Sequence, residues 1–196
     1  MQTLNFFLTG VGGQGTLLAS NVLAQVGLRA GFDVKKAEVH GMAQRGGSVS
    51  SQIRWGEKIY SPLIGKGEVD FLVAFEKLEA LRYVGMLRPG GTVLVGEMSI
   101  PPLSVSSGGD VYPGDEDVRR AISAVTDDVR FIPSLCLAEE AGNVRAHNVV
   151  LLGALSNLID QVEVETWLDV IAERVPERYV EANKQAFQMG RAKDPA

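Results

Sequence analysis

A mainly apolar run, Leu4 to Leu8, gives way to Thr9-Gly10-Val11-Gly12-Gly13-Gln14-Gly15-Thr16, and a helical pattern opens near Leu17. A strand, a glycine turn and a helix start, in that order, constrain the fold more than any other stretch of the chain. Glycines let the backbone turn tightly and approach a ligand, and the first N–H groups of the helix point outward with partial positive charge. The segment therefore makes a place for an anion beyond the end of a strand. Such units are the building blocks of sheets covered by helices on both faces.

The rest of the pattern agrees. Leu18, Val22 and Val26 recur at helical spacing over 16–30 and stop at Gly31. Phe32 to Val39 reads as a second strand. Over 48–55, Val49, Ile53 and Trp55 alternate with Ser50, Gln52 and Arg54, the period of a half-exposed strand. Gly56-Glu57 reads as a hairpin turn leading to a further strand at Lys58-Ile59-Tyr60. Val69 to Phe75 is a β-prone apolar run fit for a central parallel strand, Glu76 to Leu87 is helical, and Thr92 to Val95 follows Pro89-Gly90-Gly91 as another strand. That is a compact, right-handed strand–helix–strand unit. Residues 97–114 read as a loop crossing the sheet, Asp115 to Val125 as a helix and Val129 to Ile132 as a short strand; nearly everything after Pro133 is helical. The expectation is one domain over 1–190, a Rossmann-like, doubly wound, mostly parallel sheet with a helical C-terminal third, and a flexible tail over 191–196. Val149 to Ile159 is apolar on almost every face, which demands burial as a central core helix or at a subunit interface. Trp167 on the next amphipathic segment is a second candidate for either place.

Composition removes several classes of function. A net charge of −5 argues against nucleic acid or an anionic membrane as a partner. The single cysteine, Cys136, rules out a disulfide framework, a thiolate zinc site or a cluster held by this chain alone, and its apolar neighbours make it a buried small hydrophobe. His40 and His147 lack metal-ligand spacing, so no metal site is expected. The N-terminus carries no basic residues before its apolar run, and no apolar stretch is long enough to span a bilayer, which makes the cytoplasm the expected location.

Gly10, Gly12 and Gly15 fit G-x-G-x-x-G, with Glu38 near the end of the second strand, as in a dinucleotide fingerprint. Three readings stay open: a dinucleotide site, glycines needed only for strand–helix packing, and a loop facing an anionic cofactor or a partner's active site. A second unusual stretch follows, Glu38-Val39-His40-Gly41-Met42-Ala43-Gln44-Arg45-Gly46-Gly47-Ser48. Arg45 beside Gly46-Gly47 suits a phosphate or carboxylate held by paired hydrogen bonds with backbone assistance, or is a solvated arginine in a polar turn. His40 alone is more often structural than catalytic. No acid/base pair and no nucleophilic triad can be named, so the catalytic set of this chain is empty.

Gly10-Val11-Gly12-Gly13-Gln14-Gly15 together with His40-Gly41-Met42-Ala43-Gln44-Arg45-Gly46-Gly47 resembles the gamma-type domain of the 2-oxoacid:ferredoxin oxidoreductases. Tyr60-Ser61-Pro62-Leu63-Ile64, Leu87-Arg88-Pro89-Gly90-Gly91-Thr92, Ile100-Pro101-Pro102, Asn148 to Leu155 and Glu181 to Phe187 extend the resemblance over nearly the whole chain, most closely to small (beta) subunits of the indolepyruvate branch. Ala43 stands where many relatives carry serine. The resemblance implies a subunit without cofactors of its own in an enzyme that oxidatively decarboxylates a 2-oxoacid, makes an acyl-CoA and passes electrons to ferredoxin. It implies that thiamine diphosphate, Mg and iron–sulfur clusters sit on a large alpha subunit, with coenzyme A as co-substrate. It places Gly12, Gly13, Gln14 and Gly15 near coenzyme A, and His40, Gln44, Arg45 and Gly46 join them as candidate cofactor-binding residues. The competing reading is a free-standing NAD(P)-dependent Rossmann oxidoreductase.

Overall fold

The computed structural model describes residues 3–40 and 46–193. β1 (Leu4–Val11) passes through the glycine turn into α1 (Thr16–Arg29), followed by β2 (Asp33–His40) and β3 (Ser48–Gly56). β4 (Val69–Ala74), α2 (Lys77–Tyr83) and β5 (Leu87–Gly96) form the expected strand–helix–strand unit. Then come α3 (Leu103–Ser106), α4 (Asp115–Ser123), β6 (Val129–Ile132), α5 (Ser134–Glu140), α6 (His147–Ser156), α7 (Val164–Arg174) and α8 (Val180–Lys193).

The six strands make one sheet in the order β2-β3-β1-β4-β5-β6. β1, β4, β5 and β6 are parallel, β3 is antiparallel to β1, and β2 is antiparallel to β3. β2 therefore runs with β1, and β3 alone runs against the rest. Alternation along β1 divides the core. Phe6 and Leu8 face a large cluster beneath α1, α6 and α7, which also takes Phe187 of α8; Phe7 faces a smaller one with Ala80, Val118 and Ile122 of α2 and α4. Helices thus cover both faces, as a doubly wound sheet requires.

All ten residues of α6 are buried, which places the all-apolar segment in the core. Its crossing with α8 is close because glycines meet there: a Cβ on Gly190 would sit 2.0 Å from the Val150 carbonyl oxygen, and one on Gly153 2.1 Å from that of Phe187. Trp167 is likewise fully buried, stacked on Phe187 at 5.9 Å.

Four expectations are corrected. Lys58-Ile59-Tyr60 is not a strand. β3 already has β1 and β2 on its two sides, and the Ile59 N–H donates to the Asp33 carboxylate at 2.7 Å instead of to a sheet. Cys136 is exposed, not buried, because α5 turns Ser134 and Ala138 inward and leaves Cys136 beside Glu140 at 3.4 Å. The 97–114 segment is not all loop, since it contains the single turn of α3. α8 continues to Lys193, with the Arg191 guanidinium donating to Ser156 Oγ at 2.7 Å, three residues into the stretch expected as a tail.

Candidate functional site

β1 is where the sheet changes direction of growth. The chain leaves β1 toward β2 on one side, and β4 continues toward β5 on the other. The crevice at the carboxyl ends of β1 and β4 is therefore the topological switch point, the usual ligand position in sheets of this kind. The glycine turn lies there.

Register brings the two sequence motifs together. Gly10 opposes Val49 and Val11 opposes Ser48 across β1 and β3, His40 opposes Val49 across β2 and β3, and the Gly12 N–H donates to the Gly47 carbonyl at 2.9 Å. The exit of the second stretch is pinned from below. The Glu79 carboxylate accepts from Ser48 Oγ at 2.5 Å, Thr9 Oγ1 at 3.2 Å and Arg82 Nε at 3.0 Å.

The candidate residues divide by what they present. Gly13 has φ +107° and Gly46 φ +78°, and the space a Cβ would occupy is open at both, so their backbones face outward unobstructed. Gly12 is half-buried beside Gly47. Gly15, with φ +78°, caps α1 without a side-chain hydrogen bond, and a Cβ on it would lie 2.4 Å from Asn148 Nδ2. Asn148 itself donates to the Gly15 carbonyl at 3.0 Å, tying α6 to the turn. The Gln14 side chain points inward and is buried: Oε1 accepts from the Val11 N–H at 2.7 Å, and Nε2 donates to the Phe75 carbonyl at 3.0 Å and to Met98 Sδ at 3.5 Å. One amide thus fixes the ends of β1 and β4 and the loop after β5. Gln44 and Arg45 lie outside the described residues, and His40 ends β2.

Around this turn sit groups that the sequence did not single out. Glu76 is almost fully buried; its carboxylate accepts from the N–H groups of Glu79 and Ile100, both at 3.0 Å, and from the Tyr112 hydroxyl. Burial, and then this bond to Glu76, pushes the Tyr112 hydroxyl well above its usual range. The 97–114 segment is thereby strapped over the sheet's carboxyl edge. His147 is buried against the Phe75 ring, 6.4 Å between centroids, with Nδ1 lacking a hydrogen-bond partner; burial lowers its imidazole to about 4. Glu76 and Glu79 have local partners in the first turns of α2, but their contacts to Ile100, Tyr112, Thr9 and Ser48, like that of Asn148 to Gly15, reach residues distant in sequence and had no local signal.

Among the described residues no group of three His, Cys, Asp or Glu side chains is placed to hold a metal, and no helix is long and apolar enough to cross a membrane. The chemistry available at the turn is backbone hydrogen bonding and shape.

Residues 5–193 match the family model described as pyruvate ferredoxin/flavodoxin oxidoreductase. The chain is 40% identical to the indolepyruvate oxidoreductase subunit IorB of Pyrococcus horikoshii, over 97% of this chain and 95% of that one. Among solved structures it is similar to the gamma subunit of a keto/oxoacid ferredoxin oxidoreductase from Geobacter sulfurreducens, with a TM-score of 0.71, 26% identity, and 97% and 98% of the two chains covered. It also shares its fold with 31% of a chain of the 2-oxoglutarate:ferredoxin oxidoreductase from Magnetococcus marinus, where 98% of this chain aligns at TM-score 0.72 and 24% identity.

Proposed function

The chain belongs to the pyruvate ferredoxin/flavodoxin oxidoreductase family, and from that premise we propose that it is the small, cofactor-free subunit of an indolepyruvate-type 2-oxoacid:ferredoxin oxidoreductase. The observation that carries this reading is end-to-end identity of 40% with an indolepyruvate oxidoreductase subunit of nearly the same length. A free-standing NAD(P)-dependent oxidoreductase has no support from these relatives.

The assembled enzyme oxidatively decarboxylates an arylpyruvate, transfers the acyl group to coenzyme A and passes the electrons to ferredoxin. Carrying those electrons through iron–sulfur clusters takes sets of thiolates, and a chain with one exposed cysteine does not supply them. Thiamine diphosphate, Mg and the clusters are therefore assigned to a larger partner subunit, which docks with this chain in the cytoplasm. On this chain the switch-point turn is assigned to the coenzyme A side of the reaction. Gly12, Gly13 and Gly46 supply approachable backbone there, and His40, Gln44 and Arg45 are assigned to the same cofactor from their sequence motif. Gln14 and Gly15 act by holding the turn's shape, a reading supported by their inward contacts.

The test is co-purification of the tagged full chain from anaerobically grown host cells. A large brown partner, with viologen reduction that depends on both indolepyruvate and coenzyme A, is the expected result. A colourless protein that comes down alone and binds NAD(H) overturns the reading.

A further inference from the structure

β2 ends the sheet, with β3 on its inner side. It is eight residues long, Asp33-Val34-Lys35-Lys36-Ala37-Glu38-Val39-His40, and an edge of that length is a template for a further strand. α1 overhangs the same edge: Asn21 Oδ1 accepts from Lys36 Nζ at 2.5 Å, and Ser20 Oγ donates to Glu38 at 3.3 Å. Leu17, Asn21, Ala24 and Leu28 share one stripe of α1 at helical spacing, so the bond to Lys36 fixes where that stripe points. Leu17 and Leu28 on it are 44% and 51% exposed. An open strand edge and two bare leucines thus lie side by side.

We infer that a second copy of this chain covers this edge, β2 against β2 in antiparallel register, joining the two sheets into one. The two-fold axis of such a pairing stands perpendicular to the sheet, between the two strands, and keeps each face on its own side, so one residue of β2 faces its own copy across the axis. Four positions of the axis pair five or more residues of this strand. Centred on Lys35, Lys36 or Glu38, the strand sets a charge against its own copy, which is destabilising. Centred on Ala37, it sets Lys36 opposite Glu38 twice and leaves only methyl groups at the axis. The edge lysines would ordinarily repel an added strand. Here Lys36 is held by Glu38 and Lys35 by Asp33, both at 2.5 Å, so of the four long registers the Ala37 one meets complementary charge and sets no charge against its own copy. The same rotation turns the Leu17–Leu28 stripe toward its copy and covers both leucines.

The test is sedimentation of the purified full chain over a dilution series, combined with cysteine cross-linking. A reversible dimer is expected. Lys36→Glu should weaken it about tenfold or more, since like charges then face each other across the axis, and Lys36→Glu/Glu38→Lys should restore it. In a Cys136→Ser background, mild oxidation should link Ala37→Cys to its copy, because directly opposed Cβ atoms lie roughly 5 Å apart. Lys35→Cys and Val39→Cys, each facing the other's position, should link poorly. A chain that stays monomeric, a dimer indifferent to Lys36→Glu, equal or better linking at Lys35 or Val39, or capture of the Ala37→Cys thiol by a different subunit in the assembled complex would each overturn the inference.

Discussion

Replacing Gln14 with leucine removes an amide that joins three loops while keeping most of its volume, so the loss of hydrogen bonds is separated from packing. The side chain is 4% exposed. The Val11 N–H loses its acceptor at 2.7 Å and the Phe75 carbonyl its donor at 3.0 Å. A buried backbone group left unpartnered costs roughly 1–3 kcal/mol, and the contact with Met98 sulfur adds little. Apolar burial by leucine returns about 1 kcal/mol, so with two such groups the net destabilisation is about 1–5 kcal/mol. Urea unfolding of the isolated chain should show this as a lower midpoint at unchanged slope. Gln14→Glu is the sharper companion. A carboxylate accepts from Val11, yet it meets the Phe75 carbonyl oxygen to oxygen unless it is protonated. Its pKa in the folded chain is then raised above the unfolded value, so the stability of this variant relative to wild type is greatest at low pH and lost as pH rises through the folded pKa. A Gln14→Leu chain within about 0.5 kcal/mol of wild type, or a Gln14→Glu chain that gains on wild type as pH rises, would refute the brace.

Four further outcomes are expected. Gly15→Ala and Gly13→Ala share the cost of a left-handed residue, about 1–2 kcal/mol, but only Gly15→Ala also drives a methyl into Asn148; thermal unfolding should rank Gly15→Ala clearly lower, with part of the difference recovered in Gly15→Ala/Asn148→Ala. Gly190→Ala sets a methyl 2.0 Å from the backbone of α6, so it should cost about 1–3 kcal/mol or more despite alanine's better helix propensity, and combining it with Gly153→Ala should cost less than the sum, because both act at one crossing. His147, lowered from 6.5 to about 4 by burial, binds its proton more readily unfolded; stability should be full above about pH 6.5 and fall toward pH 4 by about 3 kcal/mol, a slope that His147→Leu removes from the stability–pH profile. Arg45→Ala should lower turnover of the assembled complex while leaving the melting temperature of this chain nearly unchanged, and unchanged kinetics would take Arg45 out of the site.

The legible part of the fold was the part written in local signals. β1, the glycine turn and α1 fall within a residue or two of the boundaries read from apolar spacing and glycine, and β6 coincides with Val129 to Ile132. β5 was misjudged at its start for a physical reason. Pro89-Gly90-Gly91 reads as a break, but Gly90 takes φ +72° and the strand shifts register against β4 between Val69 and Phe71, so pairing resumes across the irregularity from Leu87 onward. The reversed β3 was not legible at all. Its alternation announces a strand, yet nothing in 48–56 says that it inserts between β1 and β2, because pairing is decided by partners elsewhere in the chain.

That insertion is also what makes the site. The glycine turn and the His40 stretch are separate motifs in sequence, and a parallel sheet built in chain order would leave them on different crevices. Because β3 runs back alongside β1, the exit of the second stretch lands on Gly12 through the Gly47 carbonyl. The residues that hold this arrangement come from farther still: Glu79 reaches Thr9 from 70 positions away, and Asn148 reaches Gly15 from 133. Sequence spacing could therefore nominate the residues that present backbone to a ligand but not those that aim it. Gln14 shows the cost of that limit. It lies inside the motif and looks like a ligand contact, while its amide is spent on Val11 and Phe75. A motif residue whose hydrogen bonds are all taken by the protein can still be indispensable, and its loss should then appear first in unfolding and only through unfolding in catalysis.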